Sequence, residues 1–296
     1  MSSARPVWAG KPKPLAIALK GLALTMICAV VLFPFLTVIS TSVATQSQID
    51  ANGGYVIWPT HVSLDAYRHL FDGTQVGRSV VISFGVTVVG TFVSLLCTVL
   101  CAYGLSKRGS LFQRGLLGYV LITLLFAPGI IPVYLMVKEL HLLDSYWALI
   151  LPTAVSAFNV VIVRGFIQGI PQELFDAARM DGAGEWRIFF SIVLPLSRAV
   201  IAVVGLFIAV GYWNNYFSPL LYLNDTQKWP LQLVMRSFIF GGGVSSTSQQ
   251  LPGTEEPAAQ SVQMALVVIA TLPILCAYPF LQKHMSKGML TGAIKG

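Results

Sequence analysis

Six stretches of this chain contain no Asp, Glu, Lys, Arg or His, and each is 19 to 27 residues long. A helix that rises 1.5 Å per residue needs about 20 apolar residues to cross roughly 30 Å of hydrocarbon. Strands of a membrane barrel alternate over about ten residues, whereas these stretches are continuously apolar. The pattern therefore predicts an all-α integral membrane protein with six transmembrane helices. The stretches are residues 21–43, 79–105, 115–137, 145–163, 199–223 and 262–281.

The composition excludes an ordinary soluble domain, because only 10% of the residues are charged, against about 25% in soluble domains. Cys28, Cys97, Cys101 and Cys276 all fall in apolar runs, so a disulfide scaffold is not expected. Cys97 and Cys101 are one helical turn apart, but no His or acidic residue lies nearby to complete a metal site. We therefore predict packing roles for the cysteines and no bound metal.

The distribution of Lys and Arg predicts the orientation of the chain, since cytoplasmic loops retain these residues. With the N-terminus inside, fourteen of the nineteen Lys and Arg residues are cytoplasmic, and eight of the twelve acids are external. Both termini are then cytoplasmic, and the net charge of +7 reflects membrane topology rather than nucleic-acid binding. The predicted parts are a cytoplasmic segment 1–20, a membrane domain 21–282 with external loops 44–78 and 224–261 and a cytoplasmic loop 171–198, and a cytoplasmic tail 283–296.

The cytoplasmic loop 171–198 combines acids, small residues and an apolar stretch, which a simple connector does not need. Glu173, Asp176 and Arg179 recur every three residues and share one face of a predicted short helix. Ala177 and Ala178 keep that helix slim.

A turn is predicted after this helix, because Asp181-Gly182 is a turn signal and glycine accepts positive φ at little cost. We expect a second short helix from Gly184 to Phe190, with Pro195 opening the fifth span. The segment is typical of a docking element; the alternative is a solvated loop on the membrane surface.

The residues of this loop also resemble a known motif. Asp176-Ala177-Ala178, three residues, Gly182, nine residues and Ile192-x-Leu194-Pro195 resemble the EAA loop of permease subunits of ATP-binding-cassette (ABC) importers. Only the first position differs, since the family usually has Glu there. The stretches PGIIPVYLMVKELHLLDSYWALILP, WNNYFSPLLYLND and YPFLQKHMSKGMLTGAIKG are similar to the carbohydrate branch, the maltose-type second permease, and the last resembles the group that takes up oligosaccharides and their derivatives.

The resemblance implies a type I ABC importer permease fold in a prokaryotic inner or plasma membrane, in contact with lipid. It implies a second permease chain, two ATPase subunits that bind ATP and Mg, and an extracytoplasmic sugar-binding protein. No phosphate-binding loop occurs in this chain, so no cofactor is expected in it. The resemblance also makes the loop a coupling helix that enters an ATPase cleft. Its coupling residues would be Glu173, Asp176, Ala177, Ala178, Arg179, Asp181, Gly182 and Ala183.

Two further sets of residues are candidates for transport. Sugars are commonly held by amides and aromatic faces, which the fifth span and its neighbour provide; interhelical packing is the alternative. The second external loop stands where maltose-type permeases probe the binding protein, and an uninvolved linker is the alternative. The substrate candidates are Asn159, Trp213, Asn214, Asn215 and Tyr216, and the loop candidates are Gly241, Gly242, Gly243, Ser245 and Ser246.

Two other functional classes compete with an importer subunit. A membrane enzyme is disfavoured because the chain has no G-x-S-x-G or H-E-x-x-H motif. A secondary transporter or channel subunit is the stronger alternative, but proton- and ion-coupled carriers usually place ionisable residues within their spans. The six stretches here have none, which favours an external energy source.

Overall fold

The structure is a computed structural model that describes residues 14–72, 75–107, 112–240 and 259–292. All regular secondary structure in these ranges is helical. The α-helices are α1 (Pro14–Ser42), α2 (Gln46–Ala51), α3 (Asp65–Asp72), α4 (Val76–Ser106), α5 (Gln113–Leu125), α6 (Ile130–Glu139), α7 (Trp147–Ile150), α8 (Ala157–Gln168), α9 (Gln172–Met180), α10 (Glu185–Ile188), α11 (Leu194–Trp213), α12 (Phe217–Tyr222), α13 (Leu231–Phe240) and α14 (Ala259–Gly292).

The described residues form two compact units, the first of which contains residues 14–69 and 259–268. Helix α1 is exposed along its apolar length, and only Thr41 and Ser42 are buried. The Thr41 hydroxyl accepts a hydrogen bond from Val56 N (3.0 Å), and the Ser42 and Tyr67 hydroxyls are 2.8 Å apart. The segment that follows α1 is therefore tied back to the end of α1 rather than extended.

The second unit contains residues 70–240 and 269–292, and its main core lies where α4 packs against α8 and α11. Small and β-branched side chains let these helices approach closely, as is typical of helix packing in membranes. The buried residues of this core are Val99, Ala102, Leu105, Val160, Val163, Ile167, Ile188, Phe189, Val193 and Val204.

Within the ranges that the structure describes, four continuous helices are long and apolar enough to cross a membrane: Pro14–Ser42, Val76–Ser106, Glu185–Trp213 and Ala259–Ala277. Two further apolar stretches are each divided into a bent pair. Helix α5 meets α6 at 118°, and the helix Trp147–Thr153 meets α8 at 52°. The all-α membrane fold predicted from the sequence is confirmed, and the described residues contain four candidate spans, or up to six if each bent pair counts as one span.

Proline occurs at both breaks, together with glycine at the first. Between α5 and α6, Pro128 lacks the N–H that would continue the helix, and Gly129 has a φ of 81°, which an L residue adopts only with strain. Between α7 and α8, Pro152 lies in a 3₁₀ turn, Leu151–Thr153. Both prolines can be seen in the sequence, but the apolar pattern does not predict the angle by which the helix bends at each of them.

The fifth span differs from its prediction. A single helix runs from Glu185 to Trp213, so the separate short helix expected from Gly184 to Phe190 is instead the start of this span. A π-helical segment, Phe189–Val193, precedes Pro195 and joins the two parts. The wider π turn relieves the clash between a proline ring and the carbonyl four residues earlier, which explains why the proline does not end the helix.

Candidate functional site

The predicted short helix of the cytoplasmic loop is α9, and it ends in the predicted turn. The N–H of Gly182 donates to Arg179 O (3.0 Å), and the N–H of Ala183 donates to Ala178 O (2.9 Å). This pair of bonds is a Schellman motif, which satisfies the last carbonyls of the helix. Gly182 has a φ of 76°, as the turn requires.

Helix α9 presents two different faces. Phe175 and Ala178 pack against the core of the second unit, and this contact fixes the helix to the membrane spans. Leu174 and Met180 are exposed, Met180 to 88%. An exposed methionine and leucine on a short helix form an apolar surface that a partner can cover.

The acids of α9 are not equivalent. Asp176 accepts hydrogen bonds from Arg179 and from the Gln172 side chain, each at 3.2 Å. Glu173 is exposed and has no ion-pair or hydrogen-bond partner among the described residues. The predicted shared face is thus present, and its central acid, Asp176, already forms an ion pair with Arg179.

Glu185 connects this segment to the C-terminal end of α4. Its carboxylate lies 2.7 Å from the Lys107 ammonium and accepts a 2.7 Å hydrogen bond from the Tyr103 hydroxyl, while Arg179 lies 3.9 Å away. Lys107 also lies 4.6 Å from the centre of the Tyr103 ring. We call Glu185, Lys107, Tyr103 and Arg179 the inner junction. Sequence reasoning missed Glu185; its position after the Asp181-Gly182 turn, at a helix start, was the available signal.

The last carbonyls of α4 are capped from neighbouring helices. Leu105 O accepts hydrogen bonds from Arg164 Nε and from the Gln113 amide, each at 2.9 Å. Cations and amide donors are favourable at a helix C-terminus, where carbonyls lack partners within the helix. Beside this end lies a cleft of about 360 Å³, which is lined by Tyr103, Ser106, Lys107, Ile167, Gln168, Ile170, Gln172, Phe175 and Arg179.

The substrate candidates occupy unlike environments. Trp213 is buried and its indole N–H donates to Ala270 O (2.9 Å), which is a packing role. The Asn215 side chain accepts from Ser218 N (3.1 Å) and so caps α12. Asn214 is exposed and Asn159 half-buried, and no hydrogen bond among the described residues joins Asn159 to residues 213–216. The structure therefore does not bring all five residues together.

Tyr216 contacts a residue that sequence reasoning did not single out. The guanidinium carbon of Arg236, on α13, lies 4.6 Å from the centre of the Tyr216 ring and 5.6 Å from the Phe240 ring. Phe217 meets Tyr216 edge to face, with the ring centres 6.4 Å apart. We call Tyr216, Phe217, Arg236 and Phe240 the arginine–aromatic cluster.

A polar contact between spans was also missed. The Tyr212 hydroxyl lies 2.8 Å from the Ser94 hydroxyl and 3.2 Å from the Thr153 hydroxyl, at the break before α8. A Cβ at Gly90 would lie 2.9 Å from the Tyr212 ring, so this glycine is needed for the ring to fit. Only the tertiary structure reveals this requirement, because nothing in the sequence distinguishes Gly90 from the other glycines of the chain.

Asp144 organises an outer junction between the loop after α6 and the loop after α12. Its carboxylate accepts the N–H groups of Asn224 (3.2 Å) and Asp225 (3.1 Å), and the Lys228 ammonium (3.0 Å). These N–H bonds, with the Lys228 ammonium, hold the pKa of Asp144 below its usual range, and the bond to Asp144 raises the pKa of Lys228. Asp144 itself has a φ of 60°. We call Asp144, Lys228 and residues 224–225 the outer junction.

The external-loop candidates Gly241, Gly242, Gly243, Ser245 and Ser246 lie outside the described residues. Within the part of the chain that the structure describes, no three His, Cys, Asp or Glu side chains are grouped closely enough to hold a metal ion.

Comparison with known proteins places the chain among transport proteins. Residues 90–291 match the family described as the binding-protein-dependent transport system inner membrane component. The polygalacturonan/rhamnogalacturonan transport system permease protein YtcP of Bacillus subtilis is 44% identical over 92% of this chain and 96% of its own length. Protein LplC of Bacillus subtilis is 46% identical over 90% of each chain. A bacterial ABC transporter that imports the acidic polysaccharide alginate contains a chain that is 26% identical, with a TM-score of 0.82 over 94% of this chain and 99% of that chain.

Proposed function

This chain belongs to the inner membrane components of binding-protein-dependent transport systems, and on that premise we propose that it forms half of the membrane pathway of an importer for an oligosaccharide. The family membership predicted from the EAA-like spacing is confirmed. The chain is a multi-pass membrane permease subunit rather than an enzyme. The observation that carries the carbohydrate assignment is the 44% identity, over nearly the whole chain, to a permease for polygalacturonan and rhamnogalacturonan.

The proposed complex contains a second permease chain, two ATPase subunits and an extracytoplasmic sugar-binding protein. Dependence on a binding protein is part of the family description. The sequence has no phosphate-binding loop, so ATP and Mg are assigned to the ATPase subunits. The exposed apolar length of α1 and the exposed apolar residues of α9 are surfaces that lipid and partner chains can cover.

Both termini are proposed to be cytoplasmic, from the partition of Lys and Arg. The test uses single cysteines in a background without the four native cysteines, at Ser47 on α2 and at Met180 on α9. Met180 is the most exposed large apolar residue of α9, so it is accessible to a reagent when the chain is expressed without its proposed ATPase subunits. A membrane-impermeant maleimide should label Ser47→Cys in intact cells and Met180→Cys only after the membrane is opened. The opposite pattern would reverse the proposed orientation.

Helix α9 is proposed to be the coupling helix that docks in an ATPase cleft. Its Schellman turn and its packing on the core support this role, because a rigid, anchored helix can transmit movement of a partner to the spans. Asp176, at the motif position, is proposed to exchange its contact with Arg179 for a basic group of the ATPase. An exposed pair three residues apart contributes only about 0.2–0.5 kcal/mol, so this exchange costs little.

The two acids of α9 provide a matched test of the docking proposal. Asp176→Asn should weaken association with the ATPase, by roughly 2–5 kcal/mol if docking buries the pair. Glu173→Gln, which removes the same charge one turn earlier, should have a smaller effect. ATPase association is measured by co-purification and by titration in detergent. Equal affinity of the wild type and Asp176→Asn would contradict the docking proposal.

The substrate residues are proposed to be Asn159 and Asn214, whose side-chain amides have no hydrogen-bond partner among the described residues, and Tyr216, whose exposed ring lies against Arg236. Trp213 and Asn215 are proposed to support the pathway by fixing the end of α11 and the start of α12. The segment 241–250, with Gly241, Gly242, Gly243, Ser245 and Ser246, is proposed to contact the binding protein. Its deletion should reduce binding-protein-stimulated ATP hydrolysis and leave ATPase association unchanged.

Reconstitution in proteoliposomes tests the proposed function as a whole. The chain is reconstituted with its second permease and ATPase, and labelled oligosaccharide is supplied with the binding protein. Uptake should require internal ATP and should not respond to a proton or sodium gradient. Uptake driven by an ion gradient in the absence of the ATPase would support a secondary transporter instead.

A further inference from the structure

Arg236 is the only charged residue of helix α13, whose other polar residues are Gln232 and Ser237. Leu231, Val234 and Phe238 bury one side of the helix, whereas Arg236 is exposed on another. An exposed guanidinium keeps its N–H donors available unless neighbouring groups accept them. The groups that lie against Arg236 therefore decide whether its N–H donors are already used.

The local contact is aromatic rather than acidic. Arg236 lies within 6 Å of the ring centres of both Tyr216 and Phe240, which is the range of a cation–π interaction. Among the described residues, no carboxylate lies within ion-pair distance of Arg236 and no side-chain hydrogen bond of its guanidinium is present. Ring faces attract the charge but accept no conventional hydrogen bonds, so the N–H donors remain available.

The other external cations have different surroundings. Arg68 pairs with Asp65, Arg78 donates to Gln227, and Lys228 pairs with Asp144. Lys138 is exposed and has no partner in the described part of the chain, but no aromatic ring lies against it there. Of these positions, only Arg236 combines unused donors with aromatic faces.

We propose that Arg236, Tyr216 and Phe240 form a subsite for a carboxylate-bearing sugar unit of an acidic oligosaccharide. The planar guanidinium matches a carboxylate with two parallel hydrogen bonds, which a hydroxyl cannot accept in the same way. The exposed rings of Tyr216 and Phe240 offer faces to the apolar side of a sugar. This subsite rests on the proposed carbohydrate function and adds a charge requirement to it.

The test compares a charged sugar with its uncharged form in the complete reconstituted importer. The probes are a linear trisaccharide of galacturonate and its methyl ester, both radiolabelled and supplied through the importer's own binding protein. Because every variant uses the same binding protein, a change in the ratio of charged to uncharged uptake arises in the permease. Membrane expression and basal ATP hydrolysis verify that each variant is assembled.

Arg236→Gln should raise the half-saturating concentration of the trisaccharide by about tenfold, the loss expected for a charged hydrogen-bond partner, and change that of the ester by less than about twofold. Arg236→Lys should give an intermediate increase, because lysine lacks the planar fork. Lys138→Gln removes an external cation without an aromatic partner and should leave both values unchanged. Tyr216→Leu should weaken uptake of both sugars, since a ring face does not distinguish the charge.

Several outcomes would overturn the subsite. Equal losses for both sugars in Arg236→Gln would indicate a structural role or contact with a partner protein. Glu255 and Glu256 are the next acids after α13 in the sequence. If the double variant Glu255→Gln/Glu256→Gln reproduces the effect of Arg236→Gln, then Arg236 pairs within its own chain. ATP-dependent uptake of the ester but not of the charged sugar by the wild type would overturn the subsite and leave the carbohydrate function intact. Absence of ATP-dependent uptake for both sugars and for neutral oligosaccharides would overturn the carbohydrate function itself.

Discussion

Helices α9 and α6 end in the same backbone motif, but with different residues at its left-handed position. At the end of α9 this position is Gly182, with a φ of 76°, and at the end of α6 it is His141, with a φ of 52°. The α6 turn has the same bonds, from His141 N to Lys138 O (3.0 Å) and from Leu142 N to Val137 O (3.1 Å). One turn is thus free of backbone strain, whereas the other carries the strain of an L residue in this region.

The junctions beside these turns differ in the kind of contact that holds them. The ion pairs of both junctions are partly exposed: Lys107 by 31% and Glu185 by 52% at the inner one, and Lys228 by 34% and Asp144 by 36% at the outer one. At the outer junction, one carboxylate binds two backbone N–H groups as well as an ammonium. Bonds to the backbone hold a strained loop in one conformation, while exposed ion pairs are weak and screened by salt. The comparison indicates that bonds to the backbone help to hold the outer junction, whereas the inner junction depends mainly on replaceable side-chain contacts.

The largest effect is expected for Gly182→Val. Valine at a φ of 76° is strained by about 1–2 kcal/mol, although a Cβ there meets no atom within 4 Å. The turn should distort and binding-protein-stimulated ATP hydrolysis should be lost, while insertion in the membrane is retained. Gly184→Val is the control, since Gly184 has an ordinary φ of −69° and equal space. Equal activities of the two variants would show that the left-handed turn is not required.

The next largest effect is expected at the outer junction, for Asp144→Ala. Loss of the carboxylate leaves two backbone N–H groups without their acceptor and leaves Lys228 with only the Asp144 carbonyl oxygen (2.9 Å), and the loop remains in a strained conformation. Thermal unfolding in detergent should begin at a lower temperature than for the wild type. Asp144→Gly removes the same bonds but also the strain, so it should be the more stable of the two variants. The reverse order would contradict the assigned strain.

The outer junction should also respond to pH in a defined direction. The lowered pKa of Asp144 means that its contribution is complete above the ordinary carboxyl pKa, about 4, and is lost as the pH falls through the lowered value. The raised pKa of Lys228 means that its contribution is complete below about 10.4 and is lost as the pH rises through the raised value. The stability difference between the wild type and Asp144→Asn should therefore be constant between these limits and shrink below about pH 4. A difference that changes near neutral pH would contradict this linkage.

A smaller effect is expected for Glu185→Gln at the inner junction. An exposed ion pair contributes about 0.2–1 kcal/mol, so thermal stability should change little. ATPase coupling should fall, because α9 loses a tie to the end of α4. Salt at about 1 M should reduce coupling in the wild type toward the level of the variant, since the screening length is then about 3 Å. Coupling that salt leaves unchanged would show that the inner junction does not depend on exposed charge pairs.

The smallest effect is expected for His141→Gly, and its sign is opposite to that of Gly182→Val. Glycine relieves the left-handed strain but makes the unfolded chain more flexible, so the net gain is a few tenths to about 1 kcal/mol. The measurement is the midpoint of thermal unfolding. Destabilisation would mean that the His141 side chain makes a contribution larger than the relief of backbone strain.

Much of this molecule could be predicted from the order of its residues. The charge-free stretches predicted a helical membrane protein, and the spacing of Asp176, Gly182 and Pro195 predicted the family. The Asp181-Gly182 signal located the turn after α9 correctly, because a Schellman turn depends on local φ and neighbouring bonds. These features are local or periodic, so they can be recognised without knowing which helices meet.

Only the tertiary structure decided which residues meet. Glu185 and Lys107 are far apart in the sequence, as are Asp144 and Lys228, and Tyr216 and Arg236. Such contacts depend on how the helices pack and how far they bend, and a continuous apolar pattern contains no record of either. For the same reason, the sequence does not show that the indole N–H of Trp213 donates to Ala270 O. The composition of the sequence and the spacing of its apolar residues determined the helices. The packing of the helices determined which of their polar groups remain available for a ligand.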